Sequence, residues 1–380
     1  MFEWFSPTRI IQGKKTIARA GAEIERLGAR RPLVVADAGV SSAGLATRVI
    51  STLGDKCVGV FDDIPHDTGL EVIDEAYQLA RSNGADSVIS VGGGSVIDTA
   101  KALAVLLREG GRAGDHVGFF VLKRRGAPHV CIPTTAGTGS EISTVAVMLD
   151  RRQVRKVYYL SEFVAPDAAI LDPIMTAGMP PALTASTGMD ALTHAVEAVL
   201  STLRNPFSTA LALRAIKIIR RFLPECVQNG SNLKAREQMQ IAATMAGMAF
   251  SSSQVGLAHA VSHSLGAICG VPHGIANGIM LPMVMRYNAP ECPSEIADVA
   301  LALGVEDRGQ PEPELAEEAA IEVENLLVEI NHPRRLAEMG VKSEQISACV
   351  ALAMTDAAII TNPRKPMTPE DVEKIIIAVF

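Results

Sequence analysis

The feature that most constrains the fold of this 380-residue chain is a change of texture at the Pro180–Pro181 pair. Before the pair, short β-rich runs alternate with helical patterns. PLVVAD (32–37), KCVGVFD (56–62), DSVISVGGG (86–94), HVCIPT (129–134) and AAILDP (168–173) read as strands, and residues 41–54, 70–83 and 95–108 read as helices. Such alternation predicts a parallel sheet with covering helices. After the pair, segments 184–200, 207–223, 233–251, 255–269, 313–329 and 343–359 carry apolar residues at helical spacing, and strand-like runs are nearly absent. The expected architecture is an α/β N-terminal domain over residues 1–180 and an all-helical C-terminal domain over residues 181–380. A chain of this length can bury two cores.

Hydrophobic residues make up 48% of the chain and charged residues 20%, which suits a globular protein. The net charge of −7 argues against nucleic acid as a partner. Basic residues cluster at Lys123, Arg124 and Arg125 and again at Arg151, Arg152, Arg155 and Lys156, and both runs read mainly as solvated loops. The six cysteines are scattered without a CxxC pair, the usage of reduced thiols in a cytoplasmic protein. The first residues lack the pattern of a secretory signal, and no stretch reaches the ~18 apolar residues of a membrane span.

Strand 86–91 runs into Gly92, Gly93, Gly94 and Ser95, where a helix begins. Glycines let a backbone approach a ligand closely, and a helix N-terminus favours phosphate. The turn is neither a Walker loop, since no GK[ST] follows, nor a GxGxxG fingerprint, since Ile97 stands at the third glycine. Residues 133–141, PTTAGTGSE, add threonine hydroxyls after the next strand. Two such loops at the carboxyl ends of parallel strands suit a dinucleotide. Asp37, at the end of the first strand, suits a ribose diol and repels a 2′-phosphate, favouring NAD over NADP; the alternative is a helix N-cap.

The helical half holds Asp190 and His194 four residues apart, His259 and His263 at the same spacing, and His273 between Pro272 and Gly274. Residues i and i+4 share a helix face. The Pro-His-Gly context predicts a turn at His273. One carboxylate and several imidazoles around an open position suit a catalytic divalent metal. The five candidates exceed the three or four ligands such a site needs, which leaves one for a neighbouring role. His66, His116, His129 and His332 lack such company and read as structural or exposed.

Together, GGGSVIDTAK (92–101), IPTTAGTGSE (132–141), PALTASTGMDALTHAVEA (181–198), GLAHAVSHSLGA (256–267), PHGIANGIMLPMVMRYN (272–288) and TNPRKP (361–366) resemble the iron-dependent, or group III, alcohol dehydrogenase family. The resemblance implies a dehydroquinate-synthase-like fold and an NAD(P)-dependent oxidoreductase with its active site between the domains. It implies metal ligands at Asp190, His194, His259 and His273, with His263 near the nicotinamide and substrate as a catalytic residue. It implies cofactor contacts at Asp37, Asp67, Gly93, Gly94, Ser95, Asp98, Thr134, Thr135, Thr138, Ser143, Val145 and Lys156. The chain departs from a common family pattern at four places. PHDTG (65–69), with Asp67, replaces PNPT; Ser143 replaces threonine; Val145 stands where some members carry asparagine; Ser264 stands where proline is frequent.

The implied chemistry is reversible hydride transfer between NAD(H) and a short alcohol or diol, or the matching aldehyde or ketone. The implied metal is Fe(II), and the donor set also suits Zn(II). Substrate-facing residues are expected from 143–149, 250–256 and the surroundings of His263 and Cys269. A homodimer or larger homo-oligomer is expected. Two other readings compete. A dehydroquinate-synthase-like lyase on the same scaffold would need more lysines and arginines than 184–275 carries near the ligands. A non-catalytic metal- or nucleotide-binding protein would bind without turnover.

Overall fold

The computed structural model describes residues 2–153, 155–365 and 368–380; Pro366, which ends the TNPRKP motif, lies outside them. The chain divides into two compact units. One spans Phe5–Met179, and the other joins Pro180–Phe380 to the short N-terminal stretch ending at Trp4. A boundary that keeps residues 1–180 together misplaces that stretch. The rings of Phe2 and Trp4 pack on Phe207, with centroids 5.8 and 5.6 Å away, and this ties the stretch to a helix of the second unit.

The strands of the first unit are β1 (Arg9–Gln12), β2 (Pro32–Val35), β3 (Gly59–Phe61), β4 (Ser87–Gly92), β5 (Gly118–Phe119), β6 (His129–Pro133), β7 (Val145–Asp150), β8 (Arg155–Leu160) and β9 (Ala168–Leu171). Its helices are α1 (Ala20–Arg26), α2 (Ala38–Ser42), α3 (Leu45–Leu53), α4 (Leu70–Ser82) and α5 (Gly94–Glu109). Six strands form a parallel sheet in the order β1-β9-β6-β4-β2-β3. Its central strands are buried on both faces. Val34, Ala36, Ile89, Val91, Val130 and Ile132 pack toward α1 and α3, while Leu33, Val35 and Val88 pack toward α4 and α5. Two covered faces explain why these strands read as apolar runs. The strand order reverses between β2 and β4, so the carboxyl ends of those strands flank a topological switch point, where open α/β sheets bind ligands.

β7 and β8 form an antiparallel hairpin that joins β5 in a separate three-stranded sheet. The sequence pattern does not announce this hairpin; of the basic residues, Arg151 and Arg152 lie in the turn after β7, and Arg155 and Lys156 begin β8 rather than a plain loop.

The second unit is helical: α6 (Pro181–Leu200), α7 (Pro206–Gln228), α8 (Leu233–Ser253), α9 (Leu257–Cys269), α10 (His273–Asn288), α11 (Pro293–Leu303), α12 (Glu312–Glu329), α13 (Ile346–Ala353) and α14 (Pro369–Ala378). α6 is buried along nearly its whole length, against α7, α8 and α10. His273 is not on a turn. It is the first residue of α10, entered through Pro272. A side chain on Gly274 would strike the Ser186 carbonyl oxygen, so the glycine lets the start of α10 press directly on α6.

Candidate active site

In the sheet unit, the glycine turn and the threonine loop meet. Gly93 occupies the N-cap of α5 and offers no side-chain cap, so the first N–H groups of a 16-residue helix are left for another acceptor. The Thr134 N–H donates to the Gly92 carbonyl at 3.0 Å, which places the loop after β6 against the turn after β4. A methyl on Gly93 would sit 3.2 Å from Thr135 Cγ2, and one on Gly94 2.8 Å from Thr138 Cγ2. The glycines therefore make room for the threonines before they make room for any ligand.

Asp67 sits at φ +53°, its N–H within 3.3 Å of Ser95 Oγ and its carboxylate 3.2 Å from Lys156 Nζ. The His66 hydrogen bond, with the charge of Lys156, holds the Asp67 carboxyl well below the usual carboxylate range. Asp37 lies past the end of β2. Its Oδ1 accepts the Val40 N–H at 2.8 Å, so the helix-cap role is real and also fixes the carboxylate at the switch point.

Three of the expected cofactor residues, Asp98, Ser143 and Val145, are tied to one another through Lys101, which sequence reasoning passed over. The ammonium of Lys101 is fully buried and donates to Ser140 Oγ (2.9 Å), Ser143 Oγ (3.0 Å) and the Val145 carbonyl (2.6 Å), and it lies 3.3 Å from Asp98 Oδ1. Asp98 accepts the Ser140 hydroxyl on Oδ1 and the Val147 N–H on Oδ2 at 3.0 Å. Ser143, only 1% exposed, serves this tether between α5, the threonine loop and β7.

In the helical unit, Asp190, His259 and His273 each offer one ligand atom, and the three atoms lie within 4.8 Å of one another. Asp190 Oδ1 is 3.8 Å from His259 Nε2 and 3.5 Å from His273 Nε2. The Asn277 side-chain nitrogen approaches all three, at 2.8 Å from Asp190 Oδ1 and 3.2 Å from each Nε2. Three acceptors turned toward one donor form a set that a divalent cation suits, so the residues fit the implied metal. His194 stands just outside the tight set. Its Nδ1 is 3.9 Å from Asp190 Oδ1, and its ring stacks on Phe250 (4.4 Å) and His259 (4.5 Å).

His263 stacks on His273 with centroids 5.2 Å apart, and its Nδ1 meets Asp356 Oδ2 at 2.8 Å. Burial pushes Asp356 upward, but the hydrogen bond and charge of His263 outweigh it and hold the carboxyl below its ordinary value. For His259, burial pulls downward while the charge and hydrogen bond of Glu197 raise the imidazole above its ordinary value. Asn277 and Asp356 were missed by sequence reasoning. Asn277 had a visible signal, four residues after His273 on the same helix. Asp356 had none, since its link to His263 spans 93 residues.

One chain thus carries a glycine and threonine turn that suits a phosphate group and a donor set that suits a divalent cation, the combination expected of a metal-assisted dehydrogenase. Comparison with known proteins sharpens the class to a family. Residues 7–173 match the model described as "Iron-containing alcohol dehydrogenase", and residues 184–380 match "Fe-containing alcohol dehydrogenase family, C-terminal". The chain is 34% identical to the NAD-dependent methanol dehydrogenase of Bacillus methanolicus over 99% of each sequence. It is 35% identical to the 1,3-propanediol dehydrogenase of Klebsiella pneumoniae, over 96% of this chain and 95% of that one. The solved alcohol dehydrogenase of Oenococcus oeni superimposes with a TM-score of 0.97 at 31% identity, with 100% of each chain covered. The chain belongs to the iron-containing alcohol dehydrogenase family, and it is a metal-dependent oxidoreductase acting on alcohols.

Proposed function

We propose that the enzyme passes hydride reversibly between NAD(H) and a short primary alcohol or diol, with Fe(II) held by Asp190, His194, His259 and His273. The convergence of Asp190 Oδ1, His259 Nε2 and His273 Nε2 carries this reading. Zn(II) suits the same donors, and the family's iron favours Fe(II). When bound, the cation supplies a Lewis acid for the alcohol or carbonyl oxygen.

The other steps belong to the chain. The N-terminus of α5 and the loop of Thr134, Thr135 and Thr138 bind the diphosphate, with Asp67, Ser95 and Lys156 at one side of that turn. Asp98, Ser143 and Val145 act through the Lys101 tether, which holds the loop in shape. Asp37 takes the ribose diol, and its fixed charge disfavours a 2′-phosphate, so NAD is preferred over NADP. His263, aimed by Asp356, takes up the hydroxyl proton at Nε2 in oxidation and returns it in reduction.

The small substrates named for the methanol and 1,3-propanediol dehydrogenases support a short alcohol here, as does the Phe250 ring stacked on His194. The six free thiols support a cytoplasmic location. The exposed apolar residues Phe119, Phe120 and Val121 support a homodimer or larger homo-oligomer, which light scattering would measure.

The test pairs metal analysis of anaerobically purified protein with an NADH-absorbance screen of short alcohols and aldehydes. The expected result is stoichiometric iron, NADH formed from a short alcohol, and turnover lost with the metal. Bound metal and NADH without turnover across the panel would contradict the proposal.

A further inference from the structure

We propose that Glu197 is a positioning residue that fixes the tautomer of His259, and so sets the metal affinity of a site whose metal-binding role rests on the reading above. Glu197 lies seven residues after Asp190 on α6, on the face that also carries His194. It is 3% exposed, and its carboxylate meets three donors. Oε2 accepts the Gly256 N–H at 2.8 Å and faces His259 Nδ1 at 2.6 Å, while Oε1 accepts the Ala258 N–H at 2.6 Å.

Two of these donors stand at the start of α9: the N–H of its N-cap residue, Gly256, and the N–H of Ala258 in its first turn. Gly256 has no side chain to cap the first turn, and the carboxylate of a neighbouring helix accepts the Ala258 N–H in its place. A methyl on Gly256 would lie 3.1 Å from Glu197 Oε1, so the glycine admits the carboxylate. One group therefore seats the start of α9 and addresses the ring three residues along it.

The hydrogen-bond logic leaves one tautomer. An ionised carboxylate only accepts, so the neutral ring of His259, the form that binds a cation, must carry its hydrogen on Nδ1. Nε2 then holds a lone pair. The other side of the ring agrees, because the Asn277 nitrogen lies 3.2 Å from Nε2 and donates toward it. The lone pair faces Asp190 and His273, the direction a cation needs. A carboxylate behind a ligating imidazole both fixes the tautomer and raises ligand basicity.

Glu197→Gln keeps the shape and breaks this logic. Its amide has one acceptor oxygen, and its NH2 must face a donor or force Nδ1 to accept. In the second case the Nε2 hydrogen points into the ligand set. Zn(II), titrated against a competing chelator in the full-length protein, should bind Glu197→Gln roughly ten- to a hundredfold more weakly than wild type. Wild-type affinity in the folded variant would overturn the inference, even with a lowered thermal midpoint, since a purely structural carboxylate changes only the latter. Should the variant fail to fold, long-range proton–nitrogen NMR of the metal-free wild type, at a pH where the His259 ring is neutral, decides: a hydrogen on Nδ1 is expected, and one on Nε2 in its place overturns the inference. No Zn(II) binding by the wild type would instead sink the metal reading and leave the tautomer assignment to the NMR result.

Discussion

His273 shows how a single side chain is placed by its neighbours. It begins α10, which presses on α6 through Gly274, and its Nε2 comes within 3.5 Å of Asp190 Oδ1. His273→Ala should remove metal and turnover together while leaving NADH binding near wild type, as metal analysis and fluorescence titration would show. Asp37→Gly should move the NAD:NADP preference toward NADP by about tenfold or more in kcat/KM, the ratio that a loss of about 1.4 kcal/mol of discrimination produces. An unchanged preference would remove Asp37 from the ribose. The ligand candidates were legible in the sequence because i, i+4 spacing is a local signal. Glu197 and Asn277 carried weaker versions of that signal, seven residues after Asp190 and four after His273. Asp356 was invisible, because only tertiary packing brings it to His263.

At the scale of elements, the sheet unit depends on polar groups buried beneath and beside α5. Lys101 joins that helix to the threonine loop and to β7. Lys101→Met leaves Asp98 without its cation and should cost about 3 kcal/mol of stability in urea unfolding. It should also weaken NADH binding, because the loop loses its anchor. β4 and β6 share a second buried group, in which His129 Nε2 meets Ser90 Oγ at 2.9 Å. Burial, with lesser contributions from Lys101 and Arg125, depresses this imidazole to about 3. A folded value below the ordinary imidazole value means that the unfolded chain binds the proton first. Stability from this group is therefore complete above about pH 6.5 and declines as pH falls toward 3. His129→Asn should flatten the pH dependence of unfolding free energy between pH 6 and 4 by about 1.4 kcal/mol per pH unit. An equally steep profile would show that His129 is not the titrating group. The strands of the parallel sheet were legible because two covered faces demand apolar runs. β7 and β8 were not, because their half-exposed alternation was masked by the neighbouring arginines.

For the whole molecule, the change of texture at Pro180 divides an α/β unit from a helical one. The sequence could not show that the stretch ending at Trp4 groups with the helices, since that depends on contacts with Phe207, some 200 residues away. A ligand bound only by the folded state adds stability by mass action, about 2.7 kcal/mol at a hundredfold excess over Kd. Chelation should therefore lower the thermal midpoint of wild type and leave that of His273→Ala unmoved; equal shifts in both would place the metal elsewhere. The most direct measurement is an anaerobic Fe(II) titration of metal-free wild type and His273→Ala, following bound iron and NADH formation in the same samples. NADH formation should rise in step with iron up to one ion per wild-type chain, and the variant should show neither. Full turnover in metal-free protein, or in the variant, would contradict the assignment of this site.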